Sequence, residues 1–310
     1  MIKLREINWV KQLVRFLKSI YLWDTTVSLY HVLTILWSKI ITFDIDQRAA
    51  AVSFSLLLAI FPSVIFLFTL IPYIPIENLD ARIMTFLADI LPRGIYASAA
   101  NTIQDIVSRR RVDVLSFGFL FALYAATNGM MALMRAFNIA LDDDKKKRNF
   151  FKARGIALLL TFALVMVMIS AILVLIVGRL VISYFFEMGW LNADFNYFMI
   201  ETLRYLAIFF IFFVGISCLY YFAPAINKKL SFFNIGAFFS SILCILATNG
   251  FSYYLVNFNS YNKLYGSIGT LIGLMVWIYL IALIIILGFE VNSSLRVALA
   301  KAHEVDDDEL

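Results

Sequence analysis

Six long runs of apolar residues, at 49–71, 114–133, 156–178, 205–223, 235–256 and 268–289, stand out along the chain, separated by stretches where charged and turn-forming residues gather. Each is about 20 residues long, the length that carries a helix across a hydrocarbon core of roughly 30 Å. A membrane barrel would instead show stretches of about ten alternating residues. The pattern predicts an all-α integral membrane protein with six transmembrane helices. The third run continues past Gly178 through Arg179 to Phe186, so its helix is expected to tilt or project, with Arg179 reaching toward head groups.

The stretches between the runs have patterns of their own. In residues 1–48, Ile7, Val10, Leu13, Val14, Leu17, Ile20 and Tyr21 recur at helical spacing against Lys3, Lys11, Arg15 and Lys18, and Trp9, Trp23 and Trp37 suit a membrane interface. Charges recur too often there for a signal peptide. This segment is expected to lie on the cytoplasmic leaflet or to pack on the protein's own cytoplasmic face. Residues 72–111 read as an outer cap of short amphipathic helices broken at Leu91-Pro92-Arg93-Gly94. The membrane domain spans 49–292, and 293–310 is expected to be a cytoplasmic acidic tail.

Composition agrees: 62% of the 310 residues are hydrophobic and 15% charged, where soluble domains average about 45–50% and 25%, and the mean hydropathy is +0.86. Disorder, nucleic-acid arms and disulfide scaffolds are excluded together. Cys218 and Cys244 sit inside apolar runs and give neither a disulfide framework nor metal spacing; His31 and His303 are too scattered for metal or acid/base work. No metal, cofactor or enzymatic activity is expected.

The net charge of +5 reads as topology rather than nucleic-acid binding. With the N-terminus inside, the cytoplasmic connections hold Lys3, Arg5, Lys11, Arg15, Lys18, Lys39, Arg48, Arg135, Lys145, Lys146, Lys147, Arg148, Lys152, Arg154, Lys228, Lys229, Arg296 and Lys301. The outer ones hold Arg82, Arg93, Arg109, Arg110, Arg111 and Lys263. Eighteen against six places both termini in the cytoplasm.

Charged groups within or beside spans are costly and mark candidate sites. Arg48, Arg135 and Glu290 fall toward the inner face, where Arg135, and less directly Arg48, is expected to meet Glu290. Arg179, Glu201 and Arg204 fall toward the outer face, where Glu201 is expected to pair with one of the arginines. Tyr124, Asn128, Arg135 and Asn138 share one helix face, which should point into the bundle, toward a cavity, a substrate or Glu290, or else make interhelical hydrogen bonds. Two small-residue stripes, Ala51, Ser55, Ala59, Ser63 and Gly236, Ser240, Cys244, Thr248, suit close packing. Pro62 leaves the carbonyl of Leu58 without its usual donor and invites a kink.

Several segments resemble a known family. Arg48-Ala49-Ala50-Ala51 with Phe61-Pro62, Leu133-Met134-Arg135-Ala136-Phe137-Asn138, Tyr265-Gly266-Ser267-Ile268-Gly269, Trp277-Ile278-Tyr279 and Leu287-Gly288-Phe289-Glu290-Val291-Asn292 are similar to the YihY/virulence factor BrkB family of bacterial inner-membrane proteins, across residues 46–292. Phe289 stands where that family usually has Ala. The resemblance implies six spans and a multi-pass inner-membrane location with cytoplasmic termini. Members have carried a ribonuclease label, which the scattered histidines argue against. Family-level proposals of transport fit better.

The resulting expectation is a transporter or exporter of an amphipathic or lipid-linked substrate, its polar path lined by Pro62, Tyr124, Asn128, Arg135, Asn138 and Tyr265. The alternative is a membrane scaffold for envelope biogenesis. Membrane lipids and a lipid-like or small-molecule substrate are the expected partners, and nucleic acid is not. No GxxxxGK[ST] motif occurs, so pumping would draw on a gradient or a partner.

Overall fold

The computed structural model describes residues 28–42, 44–73, 112–141, 148–188, 193–226, 231–257 and 267–308, with isolated positions before 28 and between 81 and 106. They form seven long helices: α1 Leu29–Thr42, α2 Ile45–Leu70, α3 Val112–Ala140, α4 Phe150–Glu187, α5 Ala193–Phe222, α6 Ile235–Asn257 and α7 Ser267–Asp308. No strand occurs among the described residues. Helices α2 to α7 supply six stretches long and apolar enough to cross a membrane, so the chain is an all-α multi-pass membrane protein.

Local chemistry sets several boundaries. Asp44 adopts a left-handed conformation (φ 43°) that turns the chain from α1 into α2, a geometry that Asp tolerates better than most residues. Asp46 and Asp113 stand in the first turns of α2 and α3, where a negative charge complements the helix dipole. Asn234 caps α6, its Oδ1 accepting from the Ala237 N–H at 2.8 Å. Arg148 closes α5 at the other end, donating to the carbonyls of Ala223 (2.8 Å) and Pro224 (2.6 Å). Burial pulls its guanidinium below its ordinary value, yet an arginine stays charged and suits a helix C-terminus.

Successive spans pack side by side in a closed ring, α3 on α2, α2 on α7, α7 on α6, α6 on α5, α5 on α4 and α4 on α3. The first and last spans are therefore neighbours. The main core lies where α3, α5 and the middle of α7 meet the beginnings of α2, α4 and α6. At its centre Phe137, Tyr220 and Phe289 are fully buried, with ring centroids 4.4 to 5.6 Å apart. The Phe289 departure from the family pattern thus fills the middle of the bundle. The outward faces are lined by apolar side chains such as Phe54, Leu120, Phe162, Met168, Phe210 and Leu246, as lipid contact requires.

Helix α4 has 38 residues, about 57 Å at 1.5 Å per residue, so it outruns a membrane core as its sequence suggests. Helix α7 runs without a break from 267 to 308, so residues 293–308 continue the helix of the sixth span. Val32 and Ile35 of α1 pack there against Leu295, Ala298 and Leu299. Around α1, Leu33, Trp37 and Ile41 form an exposed apolar edge and His31, Thr34, Ser38 and Thr42 an exposed polar one. Trp9, Trp23 and the Leu91-Pro92-Arg93-Gly94 break lie outside the described residues.

Candidate functional site

Arg48 stands one turn into α2 and reaches across the ring interior. Its Nη2 donates to Glu290 Oε1 at 2.6 Å and its Nη1 to the Ala136 carbonyl at 2.7 Å. Ala49, Ala136 and Ala140 are buried, and these small side chains let α2 and α3 approach closely enough for the guanidinium to span the gap. Glu290 is completely buried.

A second cation comes from α1. Lys39 Nζ donates to Ser293 Oγ (2.7 Å) and to the Ala140 carbonyl (2.8 Å), while Ser293 Oγ donates to that carbonyl at 3.0 Å. The Lys39 ammonium is 3.9 Å from Glu290 Oε2, close enough for attraction but too far for a hydrogen bond. Two cations thus face one carboxylate. Arg48 Nε and Glu290 Oε2 are buried with no hydrogen-bond partner among the described residues. A buried charge is tolerated only when paired and hydrogen-bonded, and this cluster ties α1, α2, α3 and α7 together at one end of the bundle.

Arg135 does not join it. The expected Arg135 to Glu290 pair is corrected to Arg48 with Glu290, because Leu133, Met134, Ala136, Phe137 and Ala140 form the buried side of α3 and Arg135 projects between them on the exposed side. It makes no ion pair or hydrogen bond among the described residues. Its face partners meet other groups. Arg154 of α4 donates from Nη1 to Asn128 Oδ1 at 2.6 Å and from Nη2 to the Tyr124 carbonyl at 3.2 Å, with its guanidinium 4.6 Å from the Tyr124 ring centroid. Asn138 Oδ1 accepts from the Ala225 N–H at 2.8 Å. The expected polar path along this face is instead occupied by interhelical bonds.

Pro62 is buried within a helix that continues to Leu70. Between α2 and α7, a groove of about 300 Å³ is lined by Ala50, Ser53, Phe54, Leu57, Met275, Val276 and Tyr279. Its first wall residue on α2 is Ala50, on the exposed side of the helix, whereas Arg48 is buried. Its walls are chiefly apolar, with Ser53 and Tyr279 the polar members.

The α6 stripe packs on α7. A Cβ on Gly236 would collide with the Gly288 carbonyl and the Asn292 amide, and one on Gly288 with Ser240 Oγ and the Tyr220 hydroxyl. Around this crossing, Tyr220 donates to the Ile285 carbonyl at 2.6 Å and shares a 2.8 Å hydrogen bond with Ser240. Asn292 accepts from the Gly236 N–H at 2.8 Å and donates to Asn234 Oδ1 at 2.6 Å. In the α2 stripe, Ser55 and Ser63 bond back to the carbonyls of Ala51 and Ala59.

Lys39, Arg148, Arg154 and Asn234 escaped the sequence reading as site residues. The first three look like ordinary interfacial charges, and only the fold reveals what they face. Arg179 belongs to α4 and Glu201 and Arg204 to α5, but their side chains, like Tyr265, lie outside the described residues.

The family described as Virulence factor BrkB matches residues 36–309. The chain is 33% identical to the ribonuclease-like protein YfkH of Bacillus subtilis over 269 residues, covering 84% of this chain and 94% of YfkH. It is 27% identical to a UPF0761 membrane protein of Vibrio campbellii, over 86% of this chain and 81% of that protein. A UPF0761 membrane protein of Legionella pneumophila is 26% identical over 82% of this chain and 59% of its own length. No solved structure matches. The chain belongs to the Virulence factor BrkB family of membrane proteins.

Proposed function

We propose that the protein moves an amphipathic, lipid-like substrate, with the groove between the first and last spans as the place where the apolar part enters. The observation behind this reading is that one pair of spans, α2 and α7, carries both an apolar groove and a buried cluster of two cations and one carboxylate. Buried ionisable groups within spans commonly mark substrate or ion pathways. An acyl or prenyl chain suits the apolar walls, and an anionic head suits the excess positive charge. In this reading the membrane is the bacterial inner membrane, both termini are cytoplasmic, and the cluster sits at the cytoplasmic end.

A second reading, a membrane scaffold, is favoured by the face of α3, where Arg154 and the Ala225 N–H satisfy Asn128 and Asn138. Neither reading includes hydrolysis. The ribonuclease-like description belongs to YfkH and is not carried over, since the two histidines stand at 31 and 303. Purified protein in vesicles carrying a fluorescent head-labelled lipid separates the two: accelerated passage between leaflets supports transport, and a rate equal to protein-free vesicles supports the scaffold.

A further inference from the structure

Arg154 stands one turn into α4, at the edge of the apolar run that begins at Ile156. An arginine there would ordinarily extend toward water along its own helix. Its guanidinium is instead held on α3 by Asn128 Oδ1, the Tyr124 carbonyl and the Tyr124 ring. These bonds use two of its five N–H donors. No carboxylate lies within ion-pair distance of it among the described residues. It is also not enclosed: Arg154 is half-buried, Tyr124 is 58% exposed, and Phe151, one turn before Arg154, is 84% exposed.

The side chain is therefore oriented by one helix while keeping unused donors, on a surface that also exposes the rings of Phe150 and Phe151. A cation there is costly unless an anion comes to it, which bilayers accomplish by drawing head groups and water inward. Arg135 adds a second positive charge on the same helix face, seven residues beyond Asn128, or about 10 Å along the axis, and it too is exposed.

We infer that the α3/α4 surface is a lateral binding site for the phosphate of an anionic phospholipid. Arg154 is its primary ligand, Asn128 and Tyr124 hold that ligand in place, and Arg135 contributes charge. Planar guanidinium donors match phosphate oxygens two at a time, and Phe150 and Phe151 offer a bed for the acyl chains. The site shares no residue with the Arg48 and Glu290 cluster and does not depend on the transport reading.

The test is native mass spectrometry of the full-length protein titrated with phosphatidylglycerol or phosphatidylcholine of matched chains. The first phosphatidylglycerol should bind about fivefold more tightly than phosphatidylcholine, the factor corresponding to one basic residue near an anionic head. Arg154→Gln should erase that preference and Arg154→Lys should retain part of it. Arg135→Gln should weaken it less. A wild-type protein with no preference overturns the inference without any variant, as does a folded Arg154→Gln protein that keeps it. Displacement of the lipid by millimolar inorganic phosphate would also overturn it, by making this an ion site.

Discussion

Arg48 and Glu290, 242 positions apart in sequence, meet at 2.6 Å in the closed interior where the first span joins the last. Both partners are buried and Glu290 fully so, and the Ala136 carbonyl takes a second guanidinium donor. Glu290→Gln should therefore cost more than a surface charge would, about 3 to 5 kcal/mol, by leaving Arg48 uncompensated. The Arg48→Met, Glu290→Gln double variant should be milder than the sum of Arg48→Met and Glu290→Gln alone. Thermal unfolding in detergent across this mutant cycle measures the coupling; additive losses would mean the pair contributes no interaction of its own.

Lys39 should behave differently. It bonds Ser293 and the Ala140 carbonyl and only approaches Glu290. Lys39→Met should leave the spans folded while loosening α1, seen as faster proteolysis or hydrogen exchange across 29–42 with a small change in melting temperature. Unchanged exchange there would show that apolar packing on Leu295 and Leu299 alone holds the helix.

The crossing of α6 and α7 has no room for a methyl group. Gly288→Ala, which would meet Ser240 Oγ and the Tyr220 hydroxyl, should destabilise by at least about 1 to 3 kcal/mol, the usual cost of overpacking. Gly155→Ala has open space around it and should be neutral or stabilising by up to about 1 kcal/mol, as expected for glycine replaced within a helix. Equal melting shifts for the two variants would contradict the close approach.

The spans were legible because crossing a membrane imposes a length and a composition that any sequence must display. Helix partners were not, because they depend on which way a residue points around its axis. Arg135 and Ala136 differ by one position, about 100° on a helix, and that decides which of them faces Arg48. The polar residues from Tyr124 to Asn138 are visible in the sequence, but that Arg154 bonds Asn128 and the Ala225 N–H bonds Asn138 depends on which helices lie beside α3. Past 292, Leu295, Ala298 and Leu299 keep a helical apolar side that α1 covers, a contact that depends on where α1 lies.

Orientation is open to a direct test. In a background carrying Cys218→Ala and Cys244→Ala, Asp143→Cys should react with a membrane-impermeant maleimide only after the cell is opened, because the connection from α3 to α4 is assigned to the basic, cytoplasmic side. Labelling in intact cells would invert the topology.

The transport reading stands or falls on the groove between α2 and α7. Ser53→Trp would fill much of that space without touching Arg48 or Glu290. The decisive measurement is the rate of leaflet-to-leaflet passage of a fluorescent head-labelled lipid in vesicles containing this variant or the wild type, both confirmed folded. The account predicts acceleration by the wild type and a rate near that of protein-free vesicles for Ser53→Trp. Equal rates for the two proteins, whether fast or at background, would contradict it.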